Sequence, residues 1–232
     1  MTNVDPKEIQ KFSKIQEDWW NPVGQCAPLH HINPLRLDYI QQHADLTNKK
    51  IVDIGCGGGI LTESLAKAGS FATGIDLSHS ALQTAQAHAQ EHNLAIHYDC
   101  ISAEDFANNH PGEFDIVTCM ELLEHVPDPQ AILKACEKLL KPNGKLFLST
   151  INRNIKAYTF AILGAEWILN LIPRGTHDYA KFIKPSELSE WARQAQLSLS
   201  HFKGITYNPF TKRYKLDNDI TVNYLAYGEK TK

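Results

Sequence analysis

"KKIVDIGCGGGIL", residues 49–61, decides the fold of this chain. Ile51 and Val52 run into Asp53, and the stretch 55–59 then holds four glycines and one cysteine. Chains collect glycine this densely where the backbone must turn sharply or let another group come close. The residues that follow, "ILTESLAKAG", read as a helix closed by Gly69. The whole is a buried strand, a tight turn and a helix.

Working outward, the same alternation repeats. "FATGIDL" (71–77) is a second strand, and a helix starts near Ser78. "LAIHYDC" (94–100) and "FDIVTCM" (114–120) are further strands. "DPQAILKACEKLLKPNG" (128–144) is a helix ended by a Pro-Asn-Gly turn, before the strand "KLFLSTI" (145–151). Strands alternating with helices predict an α/β fold: a mostly parallel, Rossmann-like sheet covered on both faces. The tail departs from that rhythm. After a helix over 184–197, "SLSHFKGITYN" (198–208) and "DITVNYLAYGEK" (219–230) suit a C-terminal antiparallel hairpin.

Upstream, Asp5 is an N-cap, Pro6 a first helical residue and Glu8 the capping-box partner, with Ile9, Phe12 and Trp19 at roughly helical spacing. "APLHHINPLRLDYIQQHA" (27–44) reads as a loop entering a short helix at Pro34. The expected organisation is one domain over 1–232, with an N-terminal helical extension (1–47) and an insertion (152–184).

Bulk properties narrow the function. With 232 residues and 43% hydrophobic composition, the chain can bury a sizeable core. A net charge of -3 gives no general attraction for polyanions, so nucleic acid is not an expected partner. The N-terminal "MTNVDPKEIQKF" has no apolar secretory core, and no apolar run reaches membrane-spanning length. Five scattered cysteines, at 26, 56, 100, 119 and 136, read as reduced thiols of a cytoplasmic protein.

In an open parallel sheet, ligands bind beyond the carboxyl ends of the strands, where strand order reverses. Here that place is the turn Gly55–Gly59. The dinucleotide fingerprint GxGxxG would need a third glycine at position 60, which is Ile60. Asp53 precedes the turn, and Asp76 closes the second strand where an acid accepts ribose hydroxyls. A blander account makes Asp76 a helix cap and the glycines only a turn. Matching points of one βαβ unit favour an adenosine ligand without pyrophosphate, and S-adenosylmethionine is the candidate.

"VDIGCGGG", Asp76, "FDIVTCMELLEHVPDP" and "LKPNGKLFLST" resemble the class I S-adenosylmethionine-dependent methyltransferases. With "WW…P", "NPLRLDYI" and "GAEWIL…PRGTHDYAKFIKPSEL", the chain is similar, over nearly its whole length, to the ubiquinone-biosynthesis O-methyltransferases. Members of that family methylate polyprenyl phenols and catechols. The resemblance implies that Arg36, Gly55, Asp76 and Met120 contact the cofactor, with Asp53 and Gly57 in the same loop. It also implies action at both O-methylation steps of the pathway, and other enzymes of that pathway as partners. A nucleotide-dependent oxidoreductase, a methyltransferase of another small phenol and a non-catalytic scaffold are the alternatives.

Methyl transfer to a phenol needs alignment and a deprotonated oxygen, because a phenol with pKa of about 10 is protonated at neutral pH. Glu121, Glu124 and His125 stand just past the fourth strand. His125 is the candidate base. Alternatively, Glu121, Glu124 and His125 together hold Mg2+ that both catechol oxygens reach, although imidazole is a soft ligand for that ion. Glu104 and Asp105 fall where the adenine amino group would lie, or else are acids at a helix start. His177 is a weaker candidate.

Residues 156–173, "KAYTFAILGAEWILNLIP", are strongly apolar, with flanking Arg153, Arg174, Lys181 and Lys184. The stretch is too short to span a bilayer. It suits a lid over the site, an interfacial helix touching membrane lipid, or both.

Overall fold

The computed structural model describes residues 3–6, 8, 18–154, 157, 178–208 and 211–231. The helix expected through Ile9 and Phe12, most of the apolar stretch 156–173, and His177 lie outside the described residues.

Eight strands form one sheet: β1 (Lys50–Ile54), β2 (Phe71–Asp76), β3 (His97–Cys100), β4 (Phe114–Met120), β5 (Leu140–Ile151), β6 (Leu197–Asn208), β7 (Arg213–Asp217) and β8 (Asn223–Lys230). Their order is β3-β2-β1-β4-β5-β8-β6-β7. The first five run parallel to one another. β8 inserts antiparallel between β5 and β6, with Leu148 opposite Ala226 and Phe202 opposite Ala226 on its other side. Strand order reverses between β1 and β4, which opens a crevice above the glycine turn.

Six helices are described: α1 (Ala27–His43), α2 (Ile60–Lys67), α3 (His79–Glu91), α4 (Ala103–Asn109), α5 (Pro129–Leu139) and α6 (Pro185–Gln194). Successive strand residues point to opposite faces of a sheet. Ile51 therefore joins Ile116, Phe147 and the α1–α2 residues Tyr39, Ile40, Leu61 and Leu65 in one core. Val52 and Ile54 join Phe106, Leu133, Leu139 and Leu188, from α4, α5 and α6, in the other. The sheet is thus covered on both faces, as the alternation predicts.

Three expectations change. The helix expected from Pro34 starts at Ala27, with Pro28 in its first turn and Pro34 inside it. An interior proline costs about 3 kcal/mol. Ile32, Arg36, Tyr39 and Ile40, at helical spacing and all buried, offset that cost. The tail is larger than a hairpin, because the turn-rich stretch supplies β7 as an edge strand on β6. In "RYKLD" only Tyr214 and Leu216 alternate with the charges, too short an apolar face to announce a strand, yet both pack against the α1–α2 core. Finally, α5 stops at Leu139 and β5 begins at Leu140, with Asn143 at φ 59° in the Pro-Asn-Gly turn.

Candidate active site

The turn after β1 is held by its own backbone: Gly55 N–H and Cys56 N–H both donate to the Ile75 carbonyl, at 2.8 and 3.1 Å. Gly57 has φ 52°, and a Cβ there would lie 2.4 Å from the Trp19 ring. Only glycine satisfies both conditions.

Asp53 and Asp76 flank this turn in different ways. Asp53 is buried and accepts from the Thr62 and Thr118 hydroxyls, each at 2.7 Å. Burial pushes its carboxyl up to about 6 against the pull of those two hydrogen bonds and of the Arg36 charge. It is a brace between β1, α2 and β4. Asp76 accepts from Gly57 N–H at 2.9 Å and from Ser78 N–H at 2.7 Å. The cap of α3 is Ser78, whose hydroxyl accepts from Ala81 N–H. Asp76 is therefore bound to the glycine turn rather than capping the helix, and a carboxylate has further lone pairs for ribose hydroxyls.

Arg36 projects from α1 with 6% of its surface exposed. Its Nη2 lies 3.2 Å from Glu121 Oε1, yet neither Nε nor Nη2 has a hydrogen-bond partner. A buried guanidinium with unspent donors matches a planar carboxylate. Met120, at the end of β4, is buried in the α1–α2 core.

Beyond Met120 the chain is strained. Glu121 has φ 56°, an uncommon conformation for a non-glycine residue. Its N–H donates to the Ser149 hydroxyl at 3.0 Å, and that hydroxyl donates back to Glu121 Oε1 at 2.8 Å. A single turn of 3-10 helix, Leu123–His125, follows. Glu124 is buried, and its Oε2 accepts from Thr150 at 2.8 Å while Oε1 has no partner. Burial, and then the charge of Glu121, push its carboxyl up to about 8. His125 turns its Nδ1 toward Glu8 Oε2, 2.9 Å away. Lys181, 3.2 Å from Asp5, stitches the same N-terminal residues to the rim.

The expected Mg2+ set does not assemble. Among the described residues, the only three His, Cys, Asp or Glu side chains with ligand atoms within 4.8 Å of one another are Glu63, His88 and His92. His125 faces Glu8, and Glu121 is engaged by Arg36 and Ser149. The side chains as placed do not fit a divalent ion. Glu104 and Asp105 take the helix-start role: Asp105 N–H and carboxylate both bond Ser102, the N-cap of α4, and Glu104 accepts from Asn3.

Several site residues escaped the sequence reading. Thr118, within the apolar run from Ile116 to Met120, was a visible signal that an acid needed a partner. Ser149 and Thr150 carried no local signal, and Glu8 was read only as a capping-box acid, because tertiary packing alone brings them to the residues after β4.

A family profile described as "Methyltransferase domain" matches residues 29–201. The ubiquinone biosynthesis O-methyltransferase of Azoarcus sp. (strain BH72) is 55% identical, covering 99% of this chain and 98% of its own length. That of Aromatoleum aromaticum is 56% identical, covering 98% and 97%. The chain belongs to the ubiquinone biosynthesis O-methyltransferases. The family resemblance read from the motifs is thereby borne out, and the oxidoreductase alternative falls. In fold, this O-methyltransferase is similar to magnesium protoporphyrin IX methyltransferase from Synechocystis PCC 6803 with bound SAM, at TM-score 0.66 and 17% identity over 99% of this chain and 100% of that one. Among the described residues, no helix of the O-methyltransferase is long and apolar enough to cross a membrane.

Proposed function

We propose that the protein transfers the methyl group of S-adenosylmethionine to a phenolic oxygen of polyprenyl phenol and catechol intermediates, at both O-methylation steps of ubiquinone biosynthesis. The observation that carries this reading is the buried Arg36 guanidinium, whose Nε and Nη2 have no hydrogen-bond partner, beside the glycine turn and its two acids. Arg36 takes the methionyl carboxylate, Asp76 the ribose, and Gly55 and Gly57 let the ligand lie against the backbone.

In the reaction the phenolic oxygen forms a bond to the methyl carbon as the carbon–sulfur bond breaks, and the sulfonium becomes a thioether. The phenol proton must leave. Glu124, pushed up to about 8, is protonated at neutral pH and is not the resting base. An imidazole that donates from Nδ1 to the Glu8 carboxylate keeps its basic electron pair on Nε2, so His125 takes the proton. No step runs through Mg2+, because the side chains do not present a ligand set for it.

The apolar stretch 156–173 supplies the surface for a prenyl tail and for lipid, which suits work at the inner face of a membrane beside other enzymes of the pathway. Vesicle co-sedimentation of the wild type and of a variant lacking residues 157–172 tests this. Equal binding by both would overturn it.

Calorimetry with S-adenosylmethionine, on wild type, Arg36→Ala and Asp76→Ala, tests the main reading, followed by transfer to a prenylated catechol. Saturable binding that both variants lose, with methyl transfer by the wild type, supports it. Absence of binding by the wild type, or preference for a nicotinamide nucleotide, overturns it. His125→Ala should bind the cofactor normally and turn over about 100-fold more slowly or worse.

A further inference from the structure

Trp19 and Trp20 lie where the N-terminal segment crosses the glycine turn. Trp19 is 6% exposed and packs with Cys26, Ile60 and Ala81. Its ring lies against the turn itself: a Cβ on Gly57 would come within 2.4 Å of Cη2, and one on Gly58 within 2.5 Å of Cγ. The bare backbone of Gly57 and Gly58 is thus the surface on which the indole rests. The two glycines serve the tryptophan as well as the ligand.

The pair is clamped from both sides. His30 Nε2 meets the Trp19 carbonyl at 2.8 Å. Trp20 donates its indole N–H to the Gly58 carbonyl at 2.9 Å, and its ring stacks on His88 with centroids 3.4 Å apart. His88 is fixed in turn by the buried Glu63, 2.6 Å from its Nδ1. These contacts place Trp19 and leave it little freedom.

Within this clamp the two indoles differ in one respect. Trp20 has spent its N–H on the loop, whereas the buried Trp19 N–H has no acceptor. Leaving a buried donor unmade costs about 1–3 kcal/mol, and a hydrophobic residue of similar shape would avoid the cost. Gly57, under the Trp19 ring, gives its own N–H to Asp76. An indole donor with no protein acceptor therefore stands on the residue that is tied to the expected ribose-binding acid.

We propose that Trp19 is a cofactor-binding residue of this enzyme: its indole N–H donates to an acceptor on the bound cofactor, and its ring covers the turn against water. The inference rests on the reading that the turn holds S-adenosylmethionine. It assigns to the N-terminal segment a direct part in cofactor affinity.

Calorimetry with S-adenosylhomocysteine and with adenosine separates the alternatives. Trp19→Phe keeps a ring on the glycines and removes only the donor, and its melting temperature shows that it is folded. The expected result is S-adenosylhomocysteine affinity about 5–10-fold below wild type, the equivalent of one hydrogen bond. An equal loss with adenosine places the acceptor on the nucleoside, and a loss confined to S-adenosylhomocysteine places it on the amino-acid half. Trp19→Phe within twofold of wild type for both ligands overturns the proposal. A wild type that binds neither ligand overturns instead the reading on which it rests.

Discussion

Arg36 Nη2 stands 3.2 Å from Glu121 Oε1, so the guanidinium on α1 and the acid that follows β4 share one partly buried ion pair across the crevice. The pair holds Arg36 in place without using its Nε as a donor. Arg36→Lys keeps the charge and loses the planar fork. Affinity for S-adenosylhomocysteine should fall by about 10–100-fold, the worth of a charge-assisted hydrogen bond. Calorimetry measures it directly, and near-normal affinity would show that the carboxylate lies elsewhere.

Gly57→Ala should be costly twice. At φ 52° an L-residue is strained by about 1–2 kcal/mol, and the new methyl group would collide with the Trp19 ring. Thermal melting should show the strain, and the intrinsic tryptophan emission should change as the indole is displaced. Cofactor affinity should fall by at least tenfold.

Thr118→Val removes one of the two hydroxyl donors to the buried Asp53. Stability should fall by about 1–3 kcal/mol in urea unfolding. The loss should be larger at pH 8 than at pH 5, because the carboxylate, already pushed up to about 6, is charged only at the higher pH. A variant as stable as wild type at pH 8 would mean that Asp53 is not ionised there.

Glu124 sets the pH response of the site. Its carboxyl is raised from 4.5 to about 8, so folding takes up a proton. The associated stability is fully present below the unfolded value and is lost as pH rises through about 8. Glu124→Gln, which cannot ionise, should therefore melt above wild type at pH 9, with the difference shrinking toward pH 5. Each kcal/mol corresponds to about 2–4 °C in a chain of this size.

Legibility followed the range of the interactions. The parallel half of the sheet was readable from Lys50 to Ile151, because its strands and most of its helices carry local patterns, whereas the short α4 was marked only by the acids at its start. Pro34 misled, because the local cost of a proline is visible in sequence and the burial of Tyr39 and Ile40 that offsets it is not. Edge strand β7 was hidden because its pairing comes entirely from β6 and its own alternation is only Tyr214 and Leu216.

The site divides in the same way. Asp53, Gly55, Gly57 and Asp76 were legible because one βαβ unit carries them in fixed order around one turn. His125 was legible as a candidate base, but its partner Glu8 was not, and neither was the burial of Glu124 beside Thr150, since both partners lie far along the chain. Sequence by itself determined the strand–turn–helix frame and the ligand class it admits, both products of local backbone requirements. Only the tertiary structure decided which carboxylate is protonated, that the expected metal ligands part company, and that Trp19 covers the turn. Burial and charge–charge distance are properties of residues brought together by folding, and no local pattern encodes them.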